Sequence, residues 1–123
     1  MSRVFLLDDH SWFRKALAQL LEREPDLEVV GEAGSLSEAR DDVMDMTEKI
    51  DLALIDLLVP DGIGTDLIGD LRRFNPDVPV LVLTVARGPD LYAWVRSMGA
   101  DEMISKDASV DEIFAAVRLL LRG

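Results

Sequence analysis

Five times in this chain a short run of apolar residues gives way to a stretch whose apolar positions recur at helical spacing. No other feature of the sequence restricts the fold as strongly. Val4 to Leu7 is the first run, and Phe13, Leu17, Leu20 and Leu21 then mark a helix that Glu24 and Pro25 stop. Leu27 to Val30 reads as a second strand. Ser35 followed by Glu38 has the form of a capping box, opening a helix with Leu36, Ala39, Val43 and Met46 on one face. Leu52 to Ile55 is a third strand ending at Asp56. Beyond the turn residues Pro60, Gly62 and Gly64, a third helix carries Leu67, Ile68 and Leu71. Val80 to Leu83 is a continuous apolar strand, of the kind buried on both faces. A helix around Leu91, Val95 and Met98 follows, then a short strand from Glu102 to Ser105. Ser109 with Glu112 is a second capping box, and its helix is expected to turn Val110, Ile113, Phe114, Val117, Leu120 and Leu121 inward.

Strands joined by helices of this length run parallel, with right-handed crossovers and helices on both faces. The expected fold class is therefore α/β, a doubly wound five-stranded parallel sheet. At 123 residues and 49% hydrophobic content the chain suffices for one domain, with no linker or internal repeat. No segment approaches the roughly 20 apolar residues of a membrane span. The opening apolar run is cut off by Asp8 and Asp9, too early for a signal peptide, so a cytoplasmic location is expected. Thirteen Lys plus Arg against 24 Asp plus Glu leaves a net charge of −11, which argues against nucleic-acid binding through this domain. The absence of cysteine removes disulfides, thiolate catalysis and Cys-ligated zinc.

Parallel strands bring their carboxyl ends to one edge, where folds of this class bind ligands. The first strand ends in Asp8 and Asp9, the third in Asp56, the fourth in Thr84 and the fifth in Lys106. Carboxylates brought together repel, and each pKa rises unless a cation joins them. An all-oxygen set without His or Cys favours a hard ion such as Mg²⁺. With Lys106 as a fixed positive charge and Thr84 as a hydroxyl donor, the rim is suited to receiving a phosphoryl group on a carboxylate.

With these pieces the sequence resembles the receiver domain of two-component response regulators over essentially its whole length. The residues that carry the resemblance are Asp8 and Asp9 after the first strand, Asp56 followed by Pro60 and Gly64, Thr84 after an apolar strand, and Gly99-Ala100 before Lys106. Asp8-Asp9-His10, Arg14 and Val30-Gly31-Glu32-Ala33 are most similar to the branch whose receivers precede a LuxR-type helix-turn-helix output domain. The resemblance implies the strand order 2-1-3-4-5 of the flavodoxin-like, CheY-like fold. It also implies roles. Asp56 accepts the phosphoryl group, Asp8, Asp9 and Asp56 hold Mg²⁺ with the backbone carbonyl of Leu58, and Thr84 and Lys106 contact the phosphoryl oxygens. The implied partners are a sensor histidine kinase and a second copy of the chain. On this view residues 1–123 are the receiver of a longer regulator whose output domain lies beyond Gly123, a stand-alone receiver being the alternative.

Several residues depart from the family pattern or invite a second reading. Met103 occupies the fifth-strand position where many receivers carry an aromatic switch residue, which puts the usual threonine-to-aromatic coupling in doubt. Leu58 and Ala86 are apolar at sites that flank the phosphoryl group in the family and often orient an attacking water, and Val85 is bulkier than usual there. A long-lived aspartyl phosphate is the expectation. His10 is read as a helix-start residue beside the site, because the family's donor histidine belongs to the kinase. Phe13 belongs to the inner face of the first helix, whereas Trp12 falls outside it; Tyr92 and Trp94 flank an inward stripe and suit a partner surface. Arg72 and Arg73 read as a solvated helix end. The expected function is a phosphorylation-dependent switch controlling an output such as transcription. The rivals are a phosphorylation-independent interaction module and a Mg²⁺-dependent phosphohydrolase, the latter weakened by Leu58 where a nearby acid would stand.

Overall fold

The computed structural model describes residues 1–122. The elements are β1 (Ser2–Leu7), α1 (Ser11–Glu22), β2 (Leu27–Ala33), α2 (Leu36–Asp45), β3 (Leu52–Asp56), a hairpin of β4 (Leu58–Val59) and β5 (Gly62–Ile63), a 3₁₀ turn (Gly64–Leu67), α3 (Ile68–Phe74), β6 (Val80–Thr84), α4 (Pro89–Ser97), β7 (Glu102–Ser105) and α5 (Val110–Leu121). The main sheet has five parallel strands in the order β2-β1-β3-β6-β7. With the small hairpin set aside this is the 2-1-3-4-5 order implied by the resemblance.

Alternation along the strands divides the core in two. Phe5, Leu7, Ala53, Ile55, Val80 and Val82 face α2, α3 and α4, where Leu36, Ala39, Val43, Leu71 and Val95 meet them. Val4, Leu6, Leu52, Leu54, Leu81 and Leu83 face α1 and α5, packing on Leu17, Leu21, Ile113 and Val117. Strands buried on both faces need continuous apolar runs, which is what the sequence carries. Both capping boxes form: the Ser35 hydroxyl accepts from the Glu38 N–H at 3.2 Å, and Ser109 from Glu112 at 3.1 Å.

Three features differ from expectation. β2 continues past Val30 to Ala33, because Gly31, Glu32 and Ala33 pair with the end of β1 after a register shift between Val4 and Phe5. A β-carbon on Gly31 would come within 2.8 Å of the Phe5 ring, so the strand passes there only as glycine. Val110 is the first residue of α5 and faces solvent, since a first-turn position precedes the inward stripe. Arg72 is a brace. Its guanidinium donates to the carbonyls of Gly99 at 2.7 Å and Val78 at 3.1 Å and pairs with Asp101 at 3.0 Å, tying the end of α3 to the loops before β6 and β7.

Candidate functional site

The carboxyl ends of β1, β3, β6 and β7 converge on an open depression of about 330 Å³ lined by Asp9, His10, Asp56, Leu58, Thr84, Val85 and Lys106, with Asp8 buried beneath it. The candidate site residues Asp8, Asp9, Asp56, Leu58, Thr84 and Lys106 are therefore at one place. A larger hollow of about 460 Å³ lies between the C-terminal ends of α2 and α3, but its Glu48, Lys49 and Asp77 are exposed and its Asp51 is taken up by the Arg3 N–H at 2.8 Å.

Backbone packing fixes the floor. The Asp8 N–H donates to the Ala33 carbonyl at 2.9 Å, and the Asp8 carbonyl accepts from the Arg14 guanidinium at 2.6 Å. Arg14 in turn pairs with Glu32 at 3.2 Å, so α1 and β2 hold the acidic loop from both sides. Gly64 donates its N–H to the Leu57 carbonyl at 2.7 Å, and a β-carbon there would fall 1.9 Å from the Asp56 carbonyl oxygen. Only glycine allows the chain to fold back so closely beneath Asp56. The intervening hairpin is pinned by Asp61, whose carboxylate accepts from the N–H groups of Leu36 and Ser37 at 2.8 and 3.0 Å, the start of α2. Those bonds hold the Asp61 pKa below the usual value.

The charges do not balance. Carboxylate oxygens of Asp8, Asp9 and Asp56 all lie within 4.8 Å of one another. One ammonium serves them: Lys106 Nζ is 2.7 Å from Asp8 Oδ2 and 3.2 Å from Asp56 Oδ2. Asp8 Oδ2 is buried and meets only this ammonium, at an angle poor for a hydrogen bond. Asp8 Oδ1 accepts from the His10 N–H at 2.8 Å, and Asp56 Oδ1 accepts a long bond from Leu58 at 3.4 Å. Burial, with Asp8 adding repulsion against the pull of Lys106, pushes the Asp56 pKa up to about 6. Burial opposes the charge on Lys106 too, but contact with Asp8 and the charges of both acids outweigh it and raise its pKa. Two uncompensated negative charges and carboxylate oxygens clustered on one ammonium fit a hard divalent cation held by Asp8, Asp9 and Asp56.

Around this centre, the Thr84 hydroxyl is buried and accepts from the Ala86 N–H at 3.1 Å, while the Lys106 N–H donates to the Thr84 carbonyl at 3.1 Å. Leu58 and Val85 stand exposed at the rim, and Trp12 is exposed on α1. His10 precedes the first turn of α1, as expected. Tyr92 and Trp94 are exposed on α4, and Met103 is part-buried against the core beneath that helix. The sequence reading missed Asp61, Arg14 as a bond to Asp8, and the placement of the Phe13 ring under Lys106. The turn Pro60-Asp61-Gly62 was the only available sign of the first; the others depend on tertiary placement.

Among the described residues no helix is long and apolar enough to cross a membrane. The family model for the response regulator receiver domain matches residues 4–118. The DNA-binding transcriptional activator DevR/DosR of Mycobacterium tuberculosis is 38% identical over 118 residues, covering 96% of this chain and 54% of that protein. Among solved structures, a LuxR-family two-component response regulator from Aurantimonas sp. SI85-9A1 superimposes with a TM-score of 0.88 at 27% identity, covering 100% of this chain and 86% of that one. A response regulator from Burkholderia pseudomallei, solved with a phosphorylated aspartic acid, calcium ion and citrate, gives a TM-score of 0.82 at 28% identity over 99% of this chain and 69% of that one. The chain spans 54 to 60% of the length of three curated relatives. The receiver family is in general one of signalling proteins rather than enzymes. By fold, by the family match along most of its length and by its transcription-regulator relatives, this chain belongs to the response regulator receiver domains.

Proposed function

We propose that the domain is a phosphorylation switch in which Asp56 takes a phosphoryl group from a phosphohistidine on a sensor histidine kinase. The new charge then alters the surface presented to an output domain or to a second copy of the chain. The observation that supports this best is the imbalance at the depression: three carboxylates converge on one ammonium. The DNA-binding relative suggests that the output is transcription and that residues 1–123 form the receiver of a longer cytoplasmic regulator. The relative with a phosphorylated aspartic acid and a calcium ion supports both acceptor and metal.

Asp8, Asp9 and Asp56, with the Leu58 carbonyl, would hold Mg²⁺. Bound there, the ion supplies charge neutralisation for the phosphoryl oxygens and the carboxylates around them. The remaining work belongs to the protein. An Asp56 carboxylate oxygen forms the new bond to phosphorus as the bond to the donor nitrogen breaks and the histidine leaves. Asp56 is buried beside Lys106, which leaves its carboxylate with little solvent to shed before attack. Lys106, already 3.2 Å from Asp56, is placed to meet the charge of the transferred group, and Thr84 has a hydroxyl proton to donate. Asp56→Asn is expected to abolish Mg²⁺-dependent labelling by acetyl phosphate. Undiminished stoichiometry would refute the assignment.

The rim bears on how long the phosphoryl group lasts. Leu58 and Val85 present hydrocarbon beside Asp56, and Ala86 offers no side-chain polar atom. No side chain at these positions can orient a water for attack on phosphorus. A long-lived aspartyl phosphate is expected in Mg²⁺ buffer, and loss within seconds overturns that reading.

A further inference from the structure

The Lys106 ammonium has a third neighbour besides the two acids: it lies over the face of the Phe13 ring, 4.9 Å from the centroid. Phe13 is part-buried on α1, and the Lys106 side chain is only 10% exposed, so the contact is largely shielded from water. A cation over an aromatic face at this distance is attracted by the ring quadrupole, more strongly when desolvated. The three neighbours differ in what phosphorylation does to them. The Asp56 oxygen becomes part of an acyl phosphate, and Asp8 is drawn into holding a metal. The ring carries no formal charge, accepts no proton and binds no hard cation, so its attraction for the ammonium survives both events.

We infer that Phe13 is a positioning residue for phosphoryl transfer, its ring face holding the Lys106 ammonium over the site while the acids change partners. This rests on the switch reading and adds a residue to it. Without the ring, an ammonium released by Asp8 and Asp56 can swing toward solvent, whereas with it the charge stays where the phosphoryl oxygens arrive. The hydrocarbon of Phe13 has an ordinary packing role against the core on the α1 and α5 side of the sheet as well. The quadrupole and the hydrocarbon are separable by experiment.

The test replaces Phe13 in the full chain by phenylalanines bearing one, two and three ring fluorines, which keep the shape and progressively weaken the negative face. Acetyl phosphate with saturating Mg²⁺ is the donor: an Asp56 oxygen bonds to phosphorus and acetate leaves. The first-order labelling rate at saturating donor is expected to fall stepwise with fluorine number, by about threefold to tenfold across the series. Mg²⁺ affinity by calorimetric titration is expected to stay constant. In wild type the Lys106 ε-methylene protons should show an upfield ring-current shift that Phe13→Leu removes. A labelling rate indifferent to fluorination overturns the positioning role while the switch stands. A wild-type protein that takes no phosphoryl group at all overturns both.

Discussion

At the carboxyl end of the sheet one ammonium faces three carboxylates; at the opposite end one guanidinium faces one. The second cluster completes itself. Arg72 donates to Gly99, Val78 and Asp101, while Asp101 Oδ2 also accepts from the Val80 N–H at 2.8 Å and the Asn75 side chain accepts from Ile50 at 2.9 Å. Buried polar groups are ordinarily matched in this way, because an unmatched one is costly. The first cluster is left short. Asp8 Oδ2 has no aligned donor, and Asp56 is pushed up to a pKa of about 6. Satisfied charge holds loops together, whereas unsatisfied charge at a sheet edge is a place prepared for something else.

The sharpest way to break this contrast is to remove each centre and watch stability. Arg72→Ala leaves two carbonyls without their guanidinium donor and Asp101 with only the Val80 N–H, and a loss of about 2 kcal/mol in urea unfolding is expected. A loss below about 0.5 kcal/mol, the range of an ordinary surface change, would make Arg72 ornamental.

Asp56→Asn should do the opposite in the metal-free protein. The folded pKa of about 6 lies above the model value of 3.8, so the native state holds this proton more tightly than the unfolded one. That contribution is full below the unfolded pKa and is lost as pH rises through the folded one. Wild-type stability should therefore fall between about pH 4 and pH 7 on account of this group. The Asn variant should lack that slope and gain about 1–2 kcal/mol at pH 7.5. Equal slopes in parallel urea titrations would remove strain from the account of the site.

The smallest effect distinguishes ligand from fold. Mg²⁺ at about ten times its Kd should stabilise wild type by about 1.4 kcal/mol. Asp9→Asn should lose most of that gain, and Arg72→Ala should keep it. If both variants kept it, the cation would be binding away from the acidic depression.

The same contrast explains what could be read beforehand. The five strands, the five helices and the meeting of Asp8, Asp9, Asp56, Thr84 and Lys106 were legible because apolar periodicity and parallel topology are long-range regularities. The β4–β5 hairpin was not, since two-residue strands carry no period. Arg72 looked like a solvated helix end because its partners are mostly backbone carbonyls, which no residue type announces. Asp61 at the start of α2 and Phe13 beneath Lys106 escaped for a related reason: each acts on a segment distant in sequence. The acidic site lay at predictable strand ends, while its supports lay in tertiary detail.

The Thr84 side chain accepts from the Ala86 N–H and still has its own hydrogen free, so one hydroxyl can serve two masters at once. Giving that hydrogen to an incoming group does not require letting go of Ala86. Any swing of the hydroxyl then tows the short stretch up to Gly88, where φ is +131° and α4 begins. The molecule thereby acquires a leash running from its acidic rim to the start of α4, without an aromatic residue at Met103 to transmit the pull.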